Sequence, residues 1–166
     1  MMAKQAENKT RSNISELEKA FFDKHLAYSI VALSNLISQN TTRNTLAGTS
    51  LSVYEWRIMR MAYIYKVICA ADIINLFGLD KTTTSRAISR LHTRKLVRLS
   101  IDGADKRQTN VTLSAAGKRM HDKIIKRDKV SDESIEKILS RQELKSFHSA
   151  MKKLRVHVKE NMLEKS

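Results

Sequence analysis

With 166 residues the chain is long enough for one domain, or for one domain with an oligomerisation arm. Its 31 Lys and Arg against 17 Asp and Glu leave a net charge of +14, which asks for an anionic partner, nucleic acid first and an anionic membrane surface second. Cys69 is the one cysteine, so an intrachain disulfide is excluded and the reducing cytoplasm is the expected compartment; the polar opening residues exclude a signal peptide, and no apolar run approaches the roughly 18 residues of a membrane span, so no membrane partner is expected.

There is no proline and only four glycines, so long helices can run unbroken. Residues 1–13 read as a mobile polar tail. Ser15 with Glu18 reads as a capping box, and Leu26, Ile30, Leu33 and Ile37 keep helical spacing, which predicts one helix from Ser15 to about Gln39. The polar stretch NTTRNTLAGTS follows. Ser52 with Glu55 makes a second box, with Leu51 and Trp56 as the apolar staple across it, opening a helix to about Tyr65. A short helix is expected over 71–77, ended by Gly78. Asp80 then caps a helix with the sequence KTTTSRAISRLHTR.

Two helices joined by a turn of about four residues with Gly form a helix-turn-helix. Leu96 to Ile101 and Thr109 to Leu113 read as strands around IDGADKRQTNV, a hairpin directly after the second helix. From Ala115 to about Leu139 a rough stripe of Met120, Ile124, Ile135 and Leu139 predicts a further helix. Ser140 and Glu143 cap the last one, stapled by Leu139 and Leu144, and Leu144, Phe147, Met151, Leu154 and Val158 repeat at three and four. The expected architecture is mainly α with a small β-hairpin wing. A winged helix-turn-helix over 51–114 is flanked by an N-terminal helix and loop, 14–50, and by C-terminal helices, 115–166. The flanking helices have more apolar surface than a small domain can cover, so a homodimer through Leu26, Ile30, Leu33, Phe147, Met151 and Leu154 is expected.

The middle of the chain points to DNA. On the second helix of the motif Thr84, Ala87, Ile88 and Leu91 share an inward face. Lys81, Thr82, Thr83, Ser85, Arg86, Ser89 and Arg90 are left outside, and no acidic residue occurs from Lys81 to Arg98. Hydroxyls meet phosphates or base edges at close range, and Arg pairs in bidentate fashion with guanine. A solvated surface helix would mix in Glu. A hairpin straight after a recognition helix is a wing, and Lys106 and Arg107 at its tip suit phosphate or the minor groove. Asp105 would repel phosphate, so its expected role is structural: it holds the turn or aims an Arg.

The block LDKTTTSRAISRLHTRKLVRLSIDGADKRQTNVTLSAAG, residues 79–117, resembles the core of the multiple-antibiotic-resistance regulator (MarR) family. The similar features are Ser85-Arg86, Arg90-Leu91, Leu96-Val97, the Asp-x-Arg pair Asp105 and Arg107, and the closing VTLSAAG. The helix order extends the resemblance over nearly the whole chain. It implies a winged-helix homodimer on pseudo-palindromic DNA. Such a protein is most often a repressor, and many members are released by a small aromatic or phenolic acid bound between dimer layer and winged helix. Three positions depart from the family pattern. Lys95 replaces the Gly that usually ends the recognition helix, so that end is expected to differ; Leu99 stands where many members have Arg; and Cys69 stands where Ser or Thr caps the first helix of the motif, an expected weakening.

On the two helices where the resemblance places a ligand pocket lie His25, Tyr28, Ser29, Trp56, Arg57 and Arg60. An Arg and a hydroxyl or ring beside an apolar wall suit a carboxylate; equally, Trp56 and Tyr28 can be core and the Arg residues surface. Cys69 offers a rival reading as an oxidant sensor, although its apolar neighbours favour an inert thiol. An architectural DNA binder of low sequence specificity is a second rival. The five histidines, 25, 92, 121, 148 and 157, show no metal spacing. No nucleophile–base pair or phosphate loop appears, so neither an enzyme nor a cofactor is expected.

Overall fold

The computed structural model describes residues 21–101 and 108–163. The wing-tip residues Asp105, Lys106 and Arg107, and the Ser15–Glu18 box, lie outside the described residues. The chain divides into two compact units, one ending at Val53 and the other beginning at Tyr54.

In the first unit, α1 spans Leu26–Asn40 and runs into a π turn, Thr41–Thr45. The single helix expected from Ser15 is corrected here: Phe21 and Phe22 are helical, but Asp23 and Lys24 form a turn and α1 begins anew. The cause is local. His25 sits at φ −127°, ψ 78°, outside the helical region. The Ser29 hydroxyl lies 2.8 Å from Phe22 O and 3.2 Å from His25 O, and so offers those carbonyls a partner that a continuous helix would not need. The rings of Phe21, His25 and Tyr28 gather at the break, with centroids 4.6 to 6.2 Å apart. No residue of α1 is buried.

In the second unit the chain order is α2 (Val53–Tyr65), β1 (Ile68–Cys69), α3 (Ala70–Phe77), α4 (Lys81–Thr93), β2 (Val97–Ile101), β3 (Thr109–Leu113), α5 (Ala115–Glu136) and α6 (Arg141–His157), with a closing π turn, Val158–Leu163. The strands form one antiparallel sheet in the order β1-β3-β2. Leu99 pairs with Val111 and Val97 with Leu113, which fixes the hairpin register; Ile68 adds to the far side of Val111. The core gathers Ile58, Met59, Ile73, Leu91, Val111 and Ile124, each fully enclosed. The Ser140 box is present: its hydroxyl accepts from Glu143 N, and Glu143 Oε2 accepts from Ser140 N at 2.8 Å.

The C-terminal end of α4 answers the question raised by Lys95. Lys95 takes φ +56°. Its N–H donates to His92 O at 2.8 Å, and Leu96 N–H donates to Leu91 O at 2.9 Å. These two bonds are those of the Schellman ending that a Gly would make, so the helix ends as it would with Gly, against the expectation of a different end. A side chain in the left-handed region costs roughly 1–2 kcal/mol, and Gly would return about 0.5–1 kcal/mol of that as unfolded-chain entropy. Lys95→Gly is therefore expected to stabilise the fold by about 0.5–1 kcal/mol, read as a higher urea midpoint at unchanged m-value.

Candidate nucleic-acid interface

The helix-turn-helix is built from three local devices. Cys69 caps α3: its sulfur accepts from Asp72 N at 3.4 Å, while Asp72 Oδ2 accepts from Cys69 N at 3.4 Å and lies 3.1 Å from the thiol. A thiol thus completes the box expected to be weak. Gly78 ends α3 at φ 63°, a conformation that Gly alone adopts without strain. Asp80 opens α4: Oδ1 accepts from Thr83 N at 2.8 Å, and the Thr83 side chain first, then this backbone bond, hold its carboxyl below the usual carboxylate range.

The inward face of α4 is Thr84, Ala87, Ile88 and Leu91, all buried, as the spacing predicts. Thr84 satisfies its hydroxyl on Asp80 O at 3.0 Å. Lys81, Thr82, Ser85, Arg86 and Ser89 are exposed and Thr83 is half-buried, so the outer face presents hydroxyls and cations together.

Arg90 differs from the rest. Its Nε donates to Glu55 Oε1 at 3.1 Å, and the Glu55 side chain is only 4% exposed against 53% for Arg90. One edge of the guanidinium is thus held by a buried carboxylate from α2, and the remainder stays in solvent. The sequence reading assigned Glu55 to a capping box. It also has a partner 35 residues away in Arg90, and no local pattern announces such a pair.

The motif VTLSAAG has a structural meaning. Ser114 caps α5 by accepting from Gly117 N at 2.9 Å, and its hydroxyl donates to Lys95 O at 2.6 Å. Its N–H donates to Leu96 O at 3.0 Å. Gly117 is buried, and an added Cβ would fall on that same Leu96 carbonyl. The start of α5 is therefore stitched to the turn between α4 and the wing.

The six ligand candidates fall in different places. His25, Tyr28 and Ser29 belong to the first unit, where Ser29 is spent on the helix break and Tyr28 on ring contacts. Trp56 is buried in the second unit, and its indole N–H donates to Asp128 Oδ1 at 2.9 Å. Arg60 meets Asp128 Oδ2 at 3.1 Å. Asp132 stands nearby, its carboxyl pushed up by burial and then by Asp128. Arg57 instead stacks over Tyr54 and Phe77, each 5.8 Å from the ring centroid. Trp56 and Arg60 thus converge on a carboxylate of the chain itself, which any ligand acid would have to displace.

His121 is a core residue. Its ring stacks on Tyr63 at 3.8 Å and on Trp56 at 5.5 Å, with Nδ1 3.1 Å from Asp122 Oδ1. Cys69 is buried, and burial pushes its thiol up. Among the described residues no three His, Cys, Asp or Glu side chains could hold a metal ion, and no helix is long and apolar enough to cross a membrane.

No family model and no curated protein matches the sequence. Solved structures do match the fold. A MarR/EmrR family transcriptional regulator from Acinetobacter sp. ADP1 superimposes with a TM-score of 0.76 at 21% identity, covering 83% of this chain and 97% of that one. BpsR of Bordetella bronchiseptica, whose DNA binding is regulated by 6-hydroxynicotinic acid, gives 0.68 at 19% identity over 78% of this chain and 97% of its own. NadR in complex with 4-hydroxyphenylacetate gives 0.69 at 17% identity, over 79% and 92%. The chain has the winged-helix fold of these regulators.

Proposed function

We propose that this chain is a MarR-family transcriptional regulator. In this reading it is a cytoplasmic homodimer that binds a pseudo-palindromic operator, most often as a repressor, and is released by a small aromatic or phenolic acid. The observation that carries it is α4: a helix locked by its buried face and by the Asp80 cap, whose outer face holds Thr82, Thr83, Ser85, Arg86 and Ser89 and no acid. Charge of that sign on a rigid helix supports base and phosphate contact together. The dimer is supported by apolar surface left exposed on α1 and α6, at Leu26, Val31, Leu33 and Leu36 and at Phe147 and Val156. In that dimer 14–50 and 115–166 form the dimer layer and 51–114 the reading head, with the two α4 helices one duplex turn apart, roughly 34–36 Å.

The effector in this reading meets Arg57, whose guanidinium lies over the rings of Tyr54 and Phe77. Ring acids acting on BpsR and bound to NadR support the class. Oxidant sensing through Cys69 is less well supported, because reactivity needs a thiolate and this thiol is pushed the other way.

Competition between operator and random duplex tests the function: a regulator discriminates by about 10³-fold or more, and equal affinity would leave an architectural binder. The wing is tested by salt. If Arg107 meets phosphate, Arg107→Ala should lower the slope of log affinity against log salt by about 0.9 per contact, in every sequence context. Asp105→Asn should weaken binding although it adds positive charge; tighter binding would overturn the structural role of that acid.

A further inference from the structure

We propose that the first half of α5 is a second DNA-binding surface: Arg119, Lys123 and Lys126 hold phosphates of the duplex flanking the operator, which bends toward the protein to reach them. The proposal rests on the reading of the chain as an operator-binding regulator, and it concerns residues outside both α4 and the wing. Arg119, Lys123 and Lys126 follow one another at steps of four and three, so they form one stripe along α5. All three are exposed, while Gly117, His121 and Ile124 turn the opposite side of the helix into the core.

Fold stability does not account for the stripe. Like charges three and four residues apart on a helix repel. Cations also oppose the positive N-terminal end of the helix dipole, yet the first turn of α5 holds no acid and its last turn no base. Residues 118–129 carry six Lys and Arg against two Asp. Asp128 is taken up by Arg60 and Trp56, and Asp122 faces His121. The three cations of the stripe make no ion pair among the described residues. A polyanion supplies the missing countercharge. The stripe is about 10 Å long, and a duplex carries one charge per roughly 1.7 Å of its axis. An anionic membrane fits less well, because a helix lying in that interface needs its apolar face free, and that face of α5 is in the core. Placement selects the flank. Ser114, the cap of α5, binds Lys95 O at the C-terminal end of α4. A recognition helix reads base edges with its N-terminal residues, and α4 is about 20 Å long. The stripe therefore begins roughly one helix length from the half-site, and the duplex reaches it by bending beyond that half-site.

The test uses the full chain and a site that it selects itself from a random duplex pool. That site is built into a short duplex ending at the half-site edges and into one extended by about ten base pairs, one duplex turn, on each side. The extended duplex should bind at least about tenfold more tightly at low salt, with a salt slope steeper by about 0.9 per contact, or roughly 5 for three contacts on each of two flanks. Arg119→Gln/Lys123→Gln/Lys126→Gln should abolish both gains, leave binding of the short duplex close to the parent's, and not lower the melting temperature. Fluorescence energy transfer between the ends of the extended duplex should rise on binding the parent and not the variant. Lys145→Gln/Lys152→Gln/Lys153→Gln, an equal charge loss at exposed positions of α6, should keep the gains. Equal affinity for the two duplexes, equal weakening of both by the α5 variant, the same effect from the α6 variant, or duplex ends that do not approach would each overturn the proposal. So would an α5 variant that loses only binding to phosphatidylglycerol vesicles, which would make the stripe a membrane contact. A pool that enriches no site would overturn the operator reading as well, whereas an enriched site with equal duplex affinities removes the flank contact alone.

Discussion

Arg90→Ala is expected to lower both operator affinity and fold stability, whereas Arg86→Ala should lower operator affinity alone. Both side chains lie on the outer face of α4, and each base pairing lost costs roughly 1–3 kcal/mol per half-site, roughly 2–6 kcal/mol for a dimer on two. The difference comes from Glu55. Its side chain is almost enclosed and gives Oε1 to Arg90 Nε at 3.1 Å. Removing the guanidinium takes that partner from a buried carboxylate, a change that costs 3–5 kcal/mol where both groups are buried. Arg90 is half in solvent, so the expected loss is smaller, about 1–2 kcal/mol. Urea unfolding should therefore separate the two variants before any DNA is added. Glu55→Gln keeps the shape and removes the charge. It should lose part of the stability, and also some operator discrimination if the carboxylate aims Arg90 at a base. An Arg90→Ala protein with the wild-type midpoint would show that the ion pair contributes nothing to the fold. Equal loss on operator and random duplex would make Arg90 a phosphate contact.

What the sequence made legible was local. The Ser140 box, the Asp80 cap, Gly78 as a left-handed helix end, and the inward set Thr84, Ala87, Ile88 and Leu91 all depend on residues within one or two turns, and all stand as read. The break before α1 was missed because Ser29 reaches back across the turn to Phe22, and apolar spacing carries no signal for that hydrogen bond. β1 has two residues, too few for alternation to show, and its pairing with Val111 spans more than forty positions. The site suffered most from the same limit. Glu55 with Arg90, Trp56 with Asp128, and Arg155 with Leu76 are separated by 35, 72 and 79 residues. The first two change the meaning of a residue that spacing alone had placed on an outer face or in a ligand pocket, and the third gives a role to an Arg that spacing had not singled out.

Gly117→Ala should destabilise the protein, although a Gly to Ala change inside a helix ordinarily adds about 1 kcal/mol. Position 117 lies in the first turn of α5 and is buried. The new Cβ would fall on Leu96 O, 3.0 Å from Leu96 C and 3.2 Å from Leu113 Cδ2. The first two are backbone atoms of the turn that leaves α4, so no rotamer change relieves the overlap. Leu96 O also accepts Ser114 N at 3.0 Å, and Leu96 N is bound to Leu91 O, so the peptide is held from both sides. Overpacking of this kind costs about 1–3 kcal/mol, at the upper end where backbone must move, which leaves a net loss of about 1–2 kcal/mol. The displaced peptide joins α4 to β2, so DNA affinity of the folded variant should fall as well, because the recognition helix and the wing no longer keep their relative placement. Urea midpoints give the first effect, and operator titration well below the unfolding transition gives the second. A Gly117→Ala protein more stable than the parent would mean that the turn after α4 yields freely, and the wing would then be far less firmly tied to the recognition helix than the Ser114 and Leu96 bonds imply.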